Sequence, residues 1–190
     1  MKKASPYLLI LIFLVSCGGS YTPKPKGFNR IDLPDHSYVD LPDSLPYQFK
    51  VSEAATIEKH RSPMAERYWI DVKYYDYGAE IQLTYKSLGN DPKLLNDLVN
   101  DAYKLTSKHQ IKAYSIEQVN INLAEKGMAT VFDLAGDVPS QVQFFATDST
   151  DNFLRGALYF KTSTKNDSLE PVIEFVREDI LKMLETLEWD

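Results

Sequence analysis

The stretch YWIDVKYYDYGAEIQLTY at residues 68–85 carries the clearest secondary-structure pattern of the chain. Apolar side chains occupy every second position on both sides of the turn-forming triplet Asp76-Tyr77-Gly78. Alternation with a period of two is typical of strands that bury one face, and a short turn between two such strands predicts an antiparallel hairpin. The apolar series comprises Tyr68, Ile70, Val72 and Tyr74 before the turn and Ala79, Ile81, Leu83 and Tyr85 after it. We therefore predict a β-hairpin with one buried face.

Further strands are predicted on both sides of this hairpin. Tyr47, Phe49 and Val51 alternate with polar residues, and residues 54–58 are expected to return as the antiparallel partner of that strand. Later strand-like segments are separated by short turns rich in Gly, Pro and Asp, which predicts hairpins and hence an antiparallel sheet. These segments are residues 114–123, 127–135, 140–147 and 153–161.

Two amphipathic helices complete the pattern. Asp91 is a good N-cap and Pro92 suits the first helical position, while the final helix is expected to start near Asp167 or Ser168 with Pro171 in its first turn. The apolar stripes are Leu94, Leu95, Leu98, Val99, Ala102 and Leu105 in the first helix, and Ile173, Val176, Ile180, Leu184 and Leu187 in the second. We predict an α+β fold, an antiparallel sheet of about six to eight strands with both helices packed on it. The element order also resembles the PsbP-like α/β/α sandwich.

The N-terminus has the layout of a bacterial lipoprotein signal. Lys2 and Lys3 precede an apolar run at residues 7–15, which ends at Ser16 and at Cys17, the single cysteine of the chain. The run is too short to span a membrane as a helix, and Leu-Val-Ser-Cys resembles a lipobox. We predict that residues 1–16 are cleaved and that acylation of Cys17, for example with palmitate, anchors the protein. Glycines rather than aspartate follow the cysteine, which by analogy with lipoprotein sorting favours the outer membrane.

Residues 17–46 are predicted to form a proline-rich tether ahead of a single domain at residues 47–190. Alternating Pro and Lys favour an extended path, yet the segment also contains aromatic and aliphatic side chains that a plain spacer would lack. They either pack on the protein's own body or bind a partner. The candidate docking residues are Pro23, Lys24, Pro25, Arg30, Ile31 and Pro34.

The sequence predicts no catalytic residue, metal or cofactor. A lone cysteine forms no disulfide framework, and His36, His60 and His109 are too scattered for a metal motif. The turn at residues 148–151 lacks the Gly and spaced Glu of a calcium-binding EF-hand. The net charge of −6 argues against a nucleic-acid partner.

Trp69 and Tyr75 are expected on the more polar face of the first predicted strand of the hairpin. Such aromatic residues are enriched on recognition surfaces, so they are candidate ligand-binding residues in a periplasmic glycan- or peptidoglycan-binding module. The alternative is ordinary sheet packing.

The segment from Tyr21 to Pro34, directly behind a lipobox, resembles the gliding motility lipoprotein GldD family of the Bacteroidetes. The strand at residues 67–71 and the end of the chain at residues 187–189 agree with this resemblance. It implies a non-enzymatic cell-envelope lipoprotein that is needed for gliding and linked to the type IX secretion machinery. It also implies partners within that machinery and no catalytic residues.

Overall fold

A seven-stranded antiparallel sheet lies at the centre of the computed structural model, which describes residues 30–42, 44–108, 112–124, 126–161 and 168–190. The strands are β1 (Tyr38–Asp40), β2 (Tyr47–Gln48), β3 (Lys50–Ser52), β4 (Thr56–Lys59), β5 (Ile70–Tyr74), β6 (Ala79–Ser87), β7 (Ala113–Asn122), β8 (Met128–Gly136), β9 (Val142–Thr147), β10 (Asn152–Phe160) and β11 (Glu188–Trp189). The helices are α1 (Pro92–Ser107) and α2 (Glu170–Glu185). The order in the large sheet is β4-β5-β6-β10-β9-β8-β7.

The predicted hairpin is confirmed as β5 and β6. The two strands pair antiparallel from Ile70 opposite Leu83 to Tyr74 opposite Ala79. A short 3-10 helix at Tyr75–Tyr77 joins them and ends at Gly78, whose φ of 62° lies in the left-handed region that favours glycine. From Ile70 to Tyr85 the apolar side chains of the alternation are buried in the main core, and Tyr68 is partly buried against it, which explains why this stretch specifies its own register.

The two helices lie on opposite faces of the sheet. Asp91 caps α1 as predicted, because its side chain accepts hydrogen bonds from the backbone N–H groups of the first turn. On β9 the adjacent residues Phe144 and Phe145 point to opposite faces, and they belong to two separate clusters, the first packed with α2 and the second with α1. The fold is therefore α+β, with the sheet between two helices; its relation to the PsbP-like sandwich stays a prediction.

The predicted pairing of residues 54–58 with the strand at Tyr47 is wrong. The backbone N–H of Ala55 donates to the carbonyl of Ser52, and this tight turn directs the chain away from β3. β4 then pairs with β5, while β3 pairs with β1 and β2 pairs with β11. Alternation had predicted the buried face of the segment but carried no information about which strand lies beside it.

Gly156 occupies a central position of β10 where a side chain has no room. A Cβ at this position would collide with the ring of Phe144 and lie 2.9 Å from Cδ2 of Leu83. The sheet therefore depends on glycine here for close approach of the Phe144 ring rather than for a special backbone angle.

We predict that Gly156→Ala lowers the free energy of unfolding by about 1–3 kcal/mol because the added methyl overpacks the core. Chemical denaturation measures this loss. Gly89→Asn is the control, since Gly89 has φ of 56° with open space around it and Asn tolerates that conformation. In a Phe144→Leu background the added methyl should cost less; an equal cost in both backgrounds would show that the Phe144 ring is not the cause.

The turn between β9 and β10 is organised by Asp148. Its carboxylate is 7% exposed and accepts hydrogen bonds of 2.9 Å from the backbone N–H groups of Thr150, Asp151 and Asn152. Burial alone raises the pKa of this carboxyl, but the hydrogen bonds favour the charged form and lower the pKa to about 2. The hydrogen bonds to the backbone of the turn thus explain why an acid stands at position 148.

This lowered pKa predicts a pH dependence of stability. The charged carboxylate stabilises the folded state at pH values above the unfolded pKa of about 4, and this contribution is lost as the pH falls towards about 2. We expect Asp148→Asn to remove about 2 kcal/mol of acid-sensitive stability, measured by denaturation at about pH 5 and about pH 2.5. Asp151→Asn, in the same turn, should keep the parent's pH dependence; if both variants lose it, the assignment to Asp148 is wrong.

Candidate functional site

The described part of the predicted docking segment begins at Arg30, and it lies against the body. Ile31 and Leu33 are partly buried and pack against the main core, whereas Arg30 and Pro34 are exposed. Cys17, Pro23, Lys24 and Pro25 lie outside the described residues. The segment thus has an inner apolar side on the protein itself and an outer side that faces solvent.

Arg30 is the charged group of this outer side. Its Nε lies 2.7 Å from Oδ1 of Asp32, and the two side chains are 89% and 81% exposed. Such an exposed ion pair contributes little to stability, typically about 0–1 kcal/mol, because water solvates both groups well. Among the described residues, the contact that Arg30 makes contributes little to stability, so its side chain is accessible to another molecule.

His36 fastens the segment to α2. Its Nδ1 lies 2.7 Å from Oδ1 of Asp179 and its Nε2 lies 2.8 Å from Oε2 of Glu178. The imidazole also stacks on Phe175, with ring centroids 4.4 Å apart. The ring thus lies between two carboxylates and contacts each of them through a different nitrogen.

Asp179 is a charged side chain on the buried face of α2. Its exposed fraction is 2%, and its second oxygen accepts a 2.9 Å hydrogen bond from the hydroxyl of Tyr74. Burial raises the pKa of Tyr74 strongly, and the carboxylate of Asp179 raises it further. Burial and Asp179 also raise the pKa of Tyr38 to about 12. Both phenols therefore stay protonated at neutral pH and suit the role of hydrogen-bond donors.

The residues after His36 continue into the body. β1 pairs with β3, from Tyr38 opposite Ser52 to Asp40 opposite Lys50, and Leu41 is 2% exposed in the main core. The described residues 31–41 therefore have a fixed position on the domain.

Trp69 and Tyr75, the candidate ligand-binding residues, have different surroundings. Trp69 is partly buried, its indole N–H donates to the carbonyl of Tyr85 at 3.1 Å, and its ring lines a cleft of about 240 Å³ beside β4. Tyr75 is 51% exposed, donates to Glu58 and contacts the ammonium group of Lys161, and it does not line that cleft. The two aromatic rings thus do not form one shared platform.

A larger cleft of about 630 Å³ lies between the start of α2 and the adjoining ends of β7 and β8. Arg177 of α2 crosses this region and makes two hydrogen bonds of 2.8 Å to the carboxylate of Asp133 on β8. This pair fixes the helix to the sheet. Further carboxylates line the cleft, from Glu117, Asp137, Glu170 and Glu174.

Within the described part of the chain, no group of three or more potential ligands is arranged to hold a metal ion. No helix there is long and apolar enough to cross a membrane.

The family of the chain follows from comparison with known proteins. Residues 18–189 match the family described as gliding motility lipoprotein GldD. The chain belongs to this family. The resemblance read from the sequence is thus confirmed, and it covers the tether as well as the domain. Membership implies a lipid-anchored protein of the cell envelope with a role in gliding motility. No curated protein sequence matches the chain.

Sequence reasoning missed the attachment of the segment to α2. His36 and Asp179 are 143 positions apart, so no local pattern links them. One signal was present: Asp179 follows Val176 by three positions and precedes Ile180, which places an acid inside the apolar stripe of the helix. A buried carboxylate needs partners, so this position indicates a polar contact from another element.

We predict that His36→Ala lowers the free energy of unfolding by about 2–3 kcal/mol, because the buried carboxylate of Asp179 loses the imidazole that binds its Oδ1. The same change should release residues 31–41 and accelerate their amide hydrogen exchange, measured by mass spectrometry.

The matched control is His60→Ala. Nδ1 of His60 lies 2.6 Å from the carboxylate of Asp71, which is 4% exposed, so this variant removes a comparable pair that includes neither α2 nor the segment. It should lower stability without accelerating exchange at residues 31–41. If both variants accelerate exchange there equally, His36 does not hold the segment specifically.

Proposed function

We propose that this protein is a non-enzymatic lipoprotein that supports assembly or stability of the gliding machinery and the type IX secretion apparatus. In this proposal Cys17 carries the lipid, residues 1–16 are removed as a signal peptide, and the protein faces the periplasm from the outer membrane. The domain then presents the segment from Pro23 to Pro34 to a partner in the machinery.

The observation that supports this proposal best is the attachment of the segment. A passive spacer gains nothing from a fixed position, yet Ile31 and Leu33 are packed on the core and His36 is bound to two carboxylates. Ordering these residues costs roughly 1–2 kcal/mol each in backbone entropy, and the contacts offset this cost before any partner arrives. Preorganisation of this kind increases the affinity of a docking segment.

The second argument is the distribution of exposure within the segment. Arg30 and Pro34 face solvent while the residues between them alternate between the core and the surface. A guanidinium group on a fixed backbone suits bidentate recognition of a carboxylate, and arginine is enriched where interfaces bind tightly. The glycan- or peptidoglycan-binding alternative stays a prediction, since Trp69 and Tyr75 lie in different surroundings.

The test is genetic complementation in the native bacterium. Deletion of the gene should abolish colony spreading and reduce adhesin secretion, and the parent sequence should restore both. Arg30→Ala should reduce copurification of the partner several-fold while membrane fractionation stays unchanged, because the ion pair with Asp32 contributes little to folding. Cys17→Ala should remove the protein from the membrane fraction.

Arg61→Ala is the matched control, since Arg61 is also highly exposed, at 84%, and also contacts an acid, Glu58. It should behave like the parent in every assay. A deletion strain that spreads and secretes normally would overturn the proposed function. Loss of partner and membrane anchoring together in Arg30→Ala would overturn the docking role of the segment.

A further inference from the structure

The two edges of the large sheet are built differently. β4 forms one edge and β7 forms the other. β4 has four residues, among them Glu58 and Lys59, and Pro63 follows shortly after it. Short length, charge and nearby proline are the usual means by which proteins prevent an edge from pairing with another strand. The β4 edge is therefore protected.

The β7 edge is less protected, with one charged residue and one register shift, between Ala113 and Ser115. β7 has ten residues without Pro, Lys or Arg, and Glu117 is its single charged residue. Among the described residues β7 pairs on one side only, with β8. A long strand with an unpaired outer side offers a row of backbone N–H and C=O groups to an added strand.

Exposed apolar side chains surround the same edge. Val119 in the middle of β7 is 47% exposed and Tyr114 near its start is 83% exposed. On the neighbouring elements, Met128 of β8 is 41% exposed, and Tyr103 of α1, whose hydroxyl accepts a hydrogen bond from Gln118, is 40% exposed. An added strand would cover part of this apolar surface.

The cleft beside the first half of β7 is negatively charged. It contains five carboxylates, from Glu117, Asp133, Asp137, Glu170 and Glu174, and two cations, from Lys112 and Arg177. The bidentate bond to Asp133 already neutralises Arg177, and it is the first cause of the raised pKa of this guanidinium, to which Glu174 and Glu117 also contribute. The four remaining acids outnumber Lys112 and favour a further cation at this place.

We propose that β7 receives an extended segment of a partner protein as an eighth strand of the sheet, with a Lys or Arg side chain of that segment in the cleft beside Glu117 and Glu174. Main-chain hydrogen bonds to the free edge supply affinity, and the charge of the cleft selects the partner. This inference deepens the proposed docking role and rests on it: the segment around Arg30 and the β7 edge are two contacts of one scaffold.

A second copy of this chain fits the edge less well. Its β7 would bring no Lys or Arg to the cleft and would add Glu117, a further negative charge. The chain's own tether is also a poor strand, because residues 23–26 alternate Pro with Lys and proline has no N–H to donate.

Photocrosslinking in growing cells tests the inference with the full chain. A benzoylphenylalanine replaces Val119 on the β7 edge or, as the control, Thr56 on the β4 edge. We expect an adduct at position 119 whose crosslinked partner segment, mapped by mass spectrometry, contains Lys or Arg. Glu117→Lys combined with Glu174→Lys should reduce this adduct at least about five-fold, since opposite charges at an interface attract and like charges repel. When the mapped basic residue of the partner is replaced by Glu, the adduct should return in the strain that carries both Glu→Lys changes.

Four results would overturn the inference: no adduct at position 119, a similar adduct at position 56, an adduct with this chain itself, or an adduct that the charge reversals leave unchanged. Colony spreading of the same strains is scored separately. If the parent strain spreads normally and the strain with the crosslinker at position 119 yields no adduct, the edge contact alone is refuted. Normal spreading of the deletion strain refutes the proposed function instead.

Discussion

The carboxylate of Asp179 is the contact on which the arrangement of this protein depends. It joins α2 to the sheet through the hydroxyl of Tyr74 and to the N-terminal segment through His36. A charge at 2% exposure is costly to bury, and the cost is offset only if every partner is in place. Removing one partner therefore affects α2, the sheet and the N-terminal segment at once, and the position of residues 31–41 is coupled to the packing of the core.

The same design principle appears twice more. Asp71, 4% exposed, binds His60, and Asp133 holds Arg177 through two hydrogen bonds. In both of these pairs an acid on the large sheet binds a side chain from another element, since His60 follows β4 and Arg177 lies on α2. Apolar packing decides that helices and loops lie on the sheet, whereas these directional pairs decide where along the sheet they lie.

Local patterns predicted the parts of the fold that local chemistry determines. Alternation predicted the β5–β6 hairpin, and the Asp91-Pro92 pair predicted the start of α1, because both depend on neighbours within a few residues. The pairing of β3 with β1 and the contact of His36 with Asp179 join distant parts of the chain, so periodicity could not reveal them. For the candidate site, the docking role of the segment around Arg30 and Ile31 stays a prediction, and the contact that attaches this segment to α2 joins residues 143 positions apart.

The pairing of β2 with β11 has a consequence for the order in which the molecule is completed. Tyr47 lies opposite Trp189, and the backbone N–H of Asp190 donates to the carbonyl of Pro46, so residues 188–190 lie beside residues 46–48. A chain made from its N-terminus cannot form these contacts, or the contact of His36 with α2, until synthesis has passed residue 179 and then residue 189. Before α2 is made, residues 31–41 lack the contact of His36 that holds them in place. The fixed position of residues 31–41 thus depends on α2, and a partner that recognises this segment would discriminate chains in which α2 is folded in place from chains in which it is not.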